Sequence, residues 1–225
     1  MVGAGSSQCT VGQAREAYNL CDDAAVSASR QTGVPLSVLH ALTRTETGRT
    51  RNGRYEPWPW TVNMEGVGTW FPDPDSALSH VFEHIKRGAR SFDVGCFQIN
   101  HKWHGGAFSS VQEMFDPEKN ALYAARFLSA LHDEFGDWMK AVGAYHSRTP
   151  ELARRYSARF DRIHRILQVQ APEQSVSTVG RTTARNPRID LHAAQPLTGG
   201  VATLTRGSLV PLGGGMSRPF LLMPD

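Results

Sequence analysis

Apolar residues recur at spacings of three and four along much of the first 168 positions, the pattern of helices that bury one face. Gly33 separates two such stretches, and Pro35 suits the first turn of the second, where its missing N–H is not needed. Gly48 is placed to end that second helix. Helices are predicted over residues 22–32, 35–47, 75–89, 117–134, 137–146 and 149–168. The predicted fold class is therefore mostly α-helical.

The stretch "VLHALTRTETGR", residues 38–49, places a carboxylate in the apolar row of the second helix. Leu39, Leu42 and Glu46 follow one another at spacings of three and four, so they share the face that should meet the core. Burial disfavours an ionised carboxylate, and we expect it to raise the pKa of Glu46 above its usual value of about 4.3. A glutamate with a raised pKa is a proton donor suited to cleaving a glycosidic bond. A partly exposed glutamate at a helix end is the structural alternative.

The region that follows, residues 49–74, is rich in proline, glycine and tryptophan and is predicted to be irregular or weakly stranded. Trp58, Trp60 and Trp70 offer surfaces on which sugar rings could stack. Asn63 lies among them as a further candidate for binding sugar.

Two later segments carry polar groups of interest. "DVGCFQIN", residues 93–100, is short and β-prone, and Gln98 and Asn100 would lie on the same side of a strand. Gly95 permits close approach of a backbone or a ligand. "AVGAYHS", residues 141–147, places the hydroxyl of Tyr145 near a helix end. The alternative roles are a buried strand with turn-forming amides and a tyrosine that only packs.

Residues 169–225 show no sustained periodicity and alternate Gly, Pro, Ser, Thr and Arg. Such a segment cannot bury enough surface to offset the entropy of ordering it, so a disordered C-terminal tail is predicted. "RPFLLMP" within it is either a docking segment or ordinary apolar tail residues.

Composition narrows the class of protein. The 225-residue chain is 40% hydrophobic and carries a formal charge of +3, which is ordinary for a globular protein and does not favour a nucleic-acid binder. No apolar run reaches the roughly 20 residues that cross a bilayer. The first residues lack the pattern of a signal peptide, so we expect a cytosolic protein or a mature form without its leader. Cys9 and Cys21 could form a disulfide in an oxidising compartment, or all three cysteines could be thiols.

Together the motifs resemble the soluble lytic transglycosylase (SLT) domain of the lysozyme superfamily. The family's Glu-Ser at a helix end, Gly-Leu-Met-Gln and Ala-Tyr-Asn correspond here to Glu46-Thr47, the tetrapeptide 95–98 and the tripeptide 144–146. The flanking "GVPLSVLHALTRTETG" and "DPEKNALYAARFL" are also similar to family helices, and the resemblance covers about residues 18–167. It implies a lysozyme-like domain, residues 9–168, with the β-prone segment beside the active-site groove. Residues 75–89, inserted between the first two motifs, would form a wall or lid of that groove.

The resemblance also implies roles for particular residues. Glu46 would be the catalytic acid and base, supported by Tyr145, which would orient it, and by Thr47, which keeps the hydroxyl of the family's serine. Leu-Met is replaced by Cys96-Phe97 and asparagine by His146, and both changes alter the motif around the site. The residues expected to bind substrate are Gly95, Phe97, Gln98, Asn100 and Asn63.

The implied reaction is cleavage of the β-1,4 bond between N-acetylmuramic acid and N-acetylglucosamine in peptidoglycan. Glu46 protonates the linking oxygen, the substrate's acetamido group stabilises C1, and the muramoyl 6-hydroxyl then attacks C1 to give a 1,6-anhydro end. Ordinary glycosidases use two carboxylates. If a second were needed, Asp93 and Glu65 are the candidates, and hydrolysis would be the reaction.

The expected protein is a periplasmic monomer without a cofactor or metal. It would act on glycan strands, and its tail could bind a protein of a flagellar or secretion apparatus. Two other classes stay open. "HVFEH" matches an inverted zinc-peptidase pattern through His80, Glu83 and His84. A non-catalytic wall-binding module would bind glycan strands without releasing product.

Overall fold

A computed structural model describes the backbone of residues 8–170 and the side chains of residue 17 and of residues 19–170. The Cys9 side chain and almost all of the predicted tail, from residue 171 onward, lie outside this description. The described residues form eight α-helices and six short strands, which confirms the mostly α-helical class. The helices are α1 (Gln8–Thr32), α2 (Leu36–Thr47), α3 (Pro74–Lys86), α4 (His101–His104), α5 (Val111–Phe115), α6 (Pro117–Phe135), α7 (Trp138–His146) and α8 (Pro150–Gln170).

Helix α1 is more than twice as long as the predicted helix over residues 22–32. The predicted helix has Asp22 and Asp23 at its start, a residue type that often caps a helix. In the structure Asp22 instead lies in the middle of α1 and forms an ion pair with Arg44 of α2. Two nitrogens of the guanidinium contact its two oxygens at 2.7 and 2.9 Å. This partly buried pair joins the first two helices.

The strands form two antiparallel sheets. The strands are β1 (Arg49–Arg51), β2 (Arg54–Glu56), β3 (Thr61–Met64), β4 (Val67–Trp70), β5 (Phe92–Val94) and β6 (Ile99–Asn100). The first two form a hairpin, and the other four form a sheet in the order β4-β3-β5-β6. The region over 49–74 is therefore more regular than its proline and glycine content suggests, because its turns occupy the positive-φ positions 52, 53, 65 and 66.

The core lies where α1 packs along α6, α7 contacts both α6 and α8, and α2 lies against α8. Leu39 and Leu42 of α2 are fully buried, as their spacing predicts. None of the helices in the described part of the chain combines the length and the apolar character needed to cross a membrane.

A disulfide joins Cys21 of α1 to Cys96, with 5.6 Å between the Cα atoms. The expectation that Cys9 and Cys21 could pair is therefore wrong, as is the expectation of three thiols. Both bridged cysteines are fully buried, and they are brought together by the packing of α1 against the turn after β5. Their sequence separation of 75 residues gives no local signal for this pairing.

Candidate active site

Glu46 lies in the last turn of α2 and is partly buried. The helix ends at the next residue because the chain turns away at Gly48. A Cβ at position 48 would lie 2.3 Å from the carbonyl oxygen of Arg44 and 2.5 Å from the ring of Tyr55, so only glycine fits there. The glycine thus ends the helix directly beside the carboxylate.

Two buried tyrosines lie near this carboxylate. The hydroxyl of Tyr156 on α8 donates to Oε1 of Glu46, across 110 positions of sequence. The hydroxyl of Tyr145 on α7 donates to the carbonyl of Phe97 at 2.8 Å. Burial, and next the charge of Glu46, raise the pKa of both phenols well above its ordinary value. Both are therefore neutral donors at physiological pH.

This arrangement changes the role predicted for Tyr145. Its one hydroxyl proton is directed to the backbone of the turn, and the donor seen on Glu46 is Tyr156. Tyr156 was missed because, in sequence, it is one apolar-face residue of the last helix. The ring of His146, which stands where the family has asparagine, stacks on it with centroids 4.5 Å apart. Burial, aided by Arg159, lowers the pKa of His146 to about 4, so this ring is neutral.

The segment "GCFQ" forms a turn between β5 and β6, not the continuous strand expected from its composition. Gly95 has φ +82° and lies against the amide of Asn120, where a Cβ would come within 2.6 Å of Nδ2. Asn120 accepts from the N–H of Phe97 and donates to the carbonyls of Val94 and Met114. This fully buried amide fixes the turn, and sequence reasoning missed it because it lies on the buried face of α6.

The side chains expected to bind sugar in this segment are directed into the protein. Phe97 is fully buried, and Gln98 donates to the carbonyls of Thr61 and Gly95. Gln98 has φ +50° in the turn, so its side chain does not share a strand face with Asn100. The Phe97 ring is enclosed, and the Gln98 amide is both enclosed and hydrogen-bonded; the contact of these residues with sugar stays a prediction.

Asn63 and Asn100 converge on one buried carboxylate. Nδ2 of Asn63 lies 3.0 Å from Oδ2 of Asp93, and Nδ2 of Asn100 lies 2.8 Å from Oδ1. Asp93 is 1% exposed, whereas Asn63 is only partly buried. Glu65, the other candidate for a second carboxylate, is exposed in the β3–β4 turn at φ +51°.

Thr47 is buried and links three parts of the site. Its hydroxyl donates to the carbonyl of Thr43 at 3.0 Å and accepts from the N–H of Trp58 at 3.1 Å. The carbonyl of Cys96 accepts from the hydroxyl of Thr43 at 2.9 Å and also lies 3.4 Å from the hydroxyl oxygen of Thr47, whose one proton the two carbonyls share. The hydroxyl at position 47 forms hydrogen bonds with these backbone groups. Threonine carries the same hydroxyl as serine, which explains why it can replace the serine of the family.

A model of the transglycosylase SLT domain family matches residues 75–166. Residues 75–166 are similar to the transglycosylase SLT domain. The match supports peptidoglycan cleavage of the lytic transglycosylase type at the level of the family. Searches of curated proteins and of solved structures find no match.

The matched segment includes the turn after β5 and both buried tyrosines, whereas Glu46 precedes it. The predicted wall or lid over residues 75–89 is helix α3 and its end, which begin the matched segment. The β1–β4 hairpins between Glu46 and α3 are therefore outside the match.

The tryptophans before the matched segment do not all offer a free surface. Trp58 is 2% exposed, donates to the carbonyl of Phe71 and lies under the guanidinium of Arg49, 4.0 Å from its ring centroid. Trp70 is 37% exposed, and Tyr55, which the sequence did not single out, is 40% exposed. Each donates a hydrogen bond to a carbonyl in the last turn of α2. The indole N–H of Trp70 donates to the carbonyl of Thr47, and the hydroxyl of Tyr55 donates to the carbonyl of Arg44.

The histidine pair of α3 has a structural explanation. Nδ1 of His84 donates to the carbonyl of His80 at 2.8 Å, and the two rings lie 4.2 Å apart between centroids. The ring of His80 also packs on Phe71, with centroids 5.0 Å apart. Among the side chains that the structure describes, no group of three or more from His, Cys, Asp and Glu is arranged to hold a metal ion.

Proposed function

We propose that this protein is a lytic transglycosylase that cleaves the β-1,4 bond between N-acetylmuramic acid and N-acetylglucosamine and leaves a 1,6-anhydromuramoyl end. The observation that carries the proposal is the hydrogen bond from the neutral phenol of Tyr156 to Glu46, at the end of an otherwise buried helix row. A fixed carboxyl group in partly enclosed surroundings is suited to proton transfer. The domain responsible would span residues 9–168.

Glu46 acts first as an acid and then as a base in this proposal. It gives its proton to the linking oxygen, and the acetamido oxygen of the substrate stabilises the positive charge at C1. The resulting carboxylate takes the proton of the muramoyl 6-hydroxyl as that oxygen attacks C1, so no water enters the product. Tyr156 holds Oε1 throughout, and Tyr145 fixes the turn whose carbonyl it contacts.

Trp70 and Tyr55 would bind the glycan strand beside Glu46. Their hydrogen bonds to the last turn of α2 hold the rings in place while part of each ring surface stays exposed. Rings held in this way lose little conformational entropy when a sugar stacks on them. They therefore take the stacking role that the sequence assigned to all three tryptophans.

Digestion of purified peptidoglycan by wild type and Glu46→Gln, followed by mass spectrometry, tests the reaction. We expect 1,6-anhydromuramoyl ends that disappear in the variant. Glu83→Gln is the matched control, because this exposed glutamate belongs to the zinc-peptidase alternative and should leave the products unchanged. Products with reducing ends would indicate a muramidase. Binding of glycan without release of product would indicate a wall-binding module. Full activity of Glu46→Gln would refute the assignment of Glu46.

A periplasmic location is part of the proposal. The buried Cys21–Cys96 disulfide supports an oxidising compartment, where such bonds persist. Binding of the tail to a flagellar or secretion apparatus stays a prediction, as does the monomeric state.

A further inference from the structure

Asp93 is a buried carboxylate that the proposed reaction does not yet use. It lies on the central strand β5, opposite Asn63 on β3 and Asn100 on β6 in the sheet register. Directly paired residues of antiparallel strands point to the same face, so the three side chains form one row across the sheet. Each oxygen of Asp93 accepts a hydrogen bond from one of the two amides.

Joining three strands does not require a negative charge. Burying a carboxylate costs free energy that a neutral side chain of similar shape avoids. A carboxylate also accepts at both oxygens, which matches the two amide donors. The two amides therefore suit an ionised Asp93, because each of its carboxylate oxygens accepts a hydrogen bond.

The row is connected to the helix that carries Glu46 through the turn after β5. The turn that follows β5 rests on α2. The carbonyl of Cys96 accepts a hydrogen bond from the hydroxyl of Thr43, about one helical turn before Glu46, and lies near the hydroxyl of Thr47, the residue after Glu46. The same turn holds the hydroxyl of Tyr145 through the carbonyl of Phe97. After burial, the charges of Glu46, of Tyr123 and of Asp93 raise the pKa of Tyr145, so both carboxylates act on one buried phenol.

We infer that Asp93 is a second, ionised carboxylate of the site, which stabilises the positive charge that develops on the sugar when Glu46 protonates the glycosidic bond. Two carboxylates in different surroundings can divide the tasks of donating a proton and stabilising charge. Asp93 is 1% exposed with both oxygens held, so it acts through its charge and forms no bond to C1. Asp93 is therefore a positioning residue, which affects the reaction through its negative charge without touching the substrate. This inference rests on the proposed function.

The test compares Asp93→Asn with Asn63→Ala in steady-state kinetics on peptidoglycan, with thermal unfolding measured for each variant. Asp93→Asn removes the charge and should lower kcat by about 100-fold or more while KM changes by less than about threefold. Asn63→Ala removes one hydrogen bond but keeps the charge, and kcat should fall by less than about tenfold. A purely structural role would instead lower the stability of both and leave kcat of the folded enzymes similar.

A second variant keeps the test decisive if Asp93→Asn does not fold. The double variant Asp93→Asn/Asn63→Asp exchanges the two side chains. It retains one carboxylate and an amide donor for it but moves the charge by one strand spacing, about 4.8 Å. Its kcat should stay at least about tenfold below wild type. Wild-type kcat in either folded Asp93 variant would overturn the inference. Glu46→Gln is assayed in parallel: if it alone is inactive, only the inference fails, and if it is active, the proposed function fails.

Discussion

Removal of the Cys21–Cys96 disulfide should destabilise the fold by an amount that follows from its place in the chain. The bridge closes a loop over a sequence separation of 75 residues. In the chain-entropy description, a loop of this length lowers the entropy of the unfolded chain by about 15 cal/mol/K, or about 4.5 kcal/mol at 25 °C. Because small domains are stable by only about 5–15 kcal/mol, the double variant Cys21→Ser/Cys96→Ser should lose a large share of its stability.

Urea unfolding followed by tryptophan fluorescence measures this loss. For an m-value of about 2 kcal/mol/M, the unfolding midpoint of the double variant should fall by about 2 M. A reductant should produce a similar shift in the wild type and none in the double variant, which serves as the control. An unchanged midpoint in the double variant would refute the reasoning, because it would mean that the bridge does not restrict the unfolded chain.

Other predictions concern the site and the pH dependence of stability. Tyr156→Phe should lower kcat by about 10- to 100-fold, the value of one hydrogen bond to a charged group; an unchanged kcat would show that the phenol does not assist Glu46. Trp70→Ala should raise KM by about tenfold with little change in kcat, whereas Phe135→Ala, an equally exposed aromatic at the end of α6, should change neither. Asn120→Ala should reduce the free energy of unfolding by about 2–4 kcal/mol, because three hydrogen bonds are lost, to Phe97 of the turn, Val94 of β5 and Met114 of α5; a smaller shift in the urea midpoint would contradict this. Since the folded pKa of His146 is about 4 and its unfolded value 6.5, only the unfolded chain gains a proton between these values. The contribution of His146 to the free energy of unfolding should therefore be constant above pH 6.5 and should decrease by about 1.4 kcal/mol per pH unit below it. In His146→Phe, the midpoint of urea unfolding should depend less on pH between pH 7 and pH 5 than it does in the wild type.

Local sequence patterns predicted the helices well because helical periodicity and helix ends depend on neighbours within a few residues. Leu39 and Leu42 are buried as their spacing required, and Gly48 follows the last residue of α2. The same patterns misplaced the start of α1, because Asp22 lies in the middle of that helix and pairs with Arg44 of another helix. A capping residue and a partner in a long-range ion pair look alike in sequence.

The site was predicted less completely, since its hydrogen bonds join distant parts of the chain. The sequence identified Glu46 as the group to explain, but it assigned to Tyr145 the hydrogen bond that Tyr156 makes from 110 residues away. It treated Gln98 and Asn100 as groups open to sugar, and the tertiary structure encloses both. Burial is a property of what packs around a side chain, and no spacing along one segment reveals it.

The sequence by itself determined the helical class, the apolar row that ends in Glu46 and the resemblance of three short motifs to one family. Only the tertiary structure decided which donor holds Glu46, which cysteines pair, and that Asp93 lies between two amides on neighbouring strands. The physical reason is the range of the interactions. Helix periodicity acts over a few residues, whereas hydrogen bonds, disulfides and buried charges depend on distances that exist only once the helices and strands have packed.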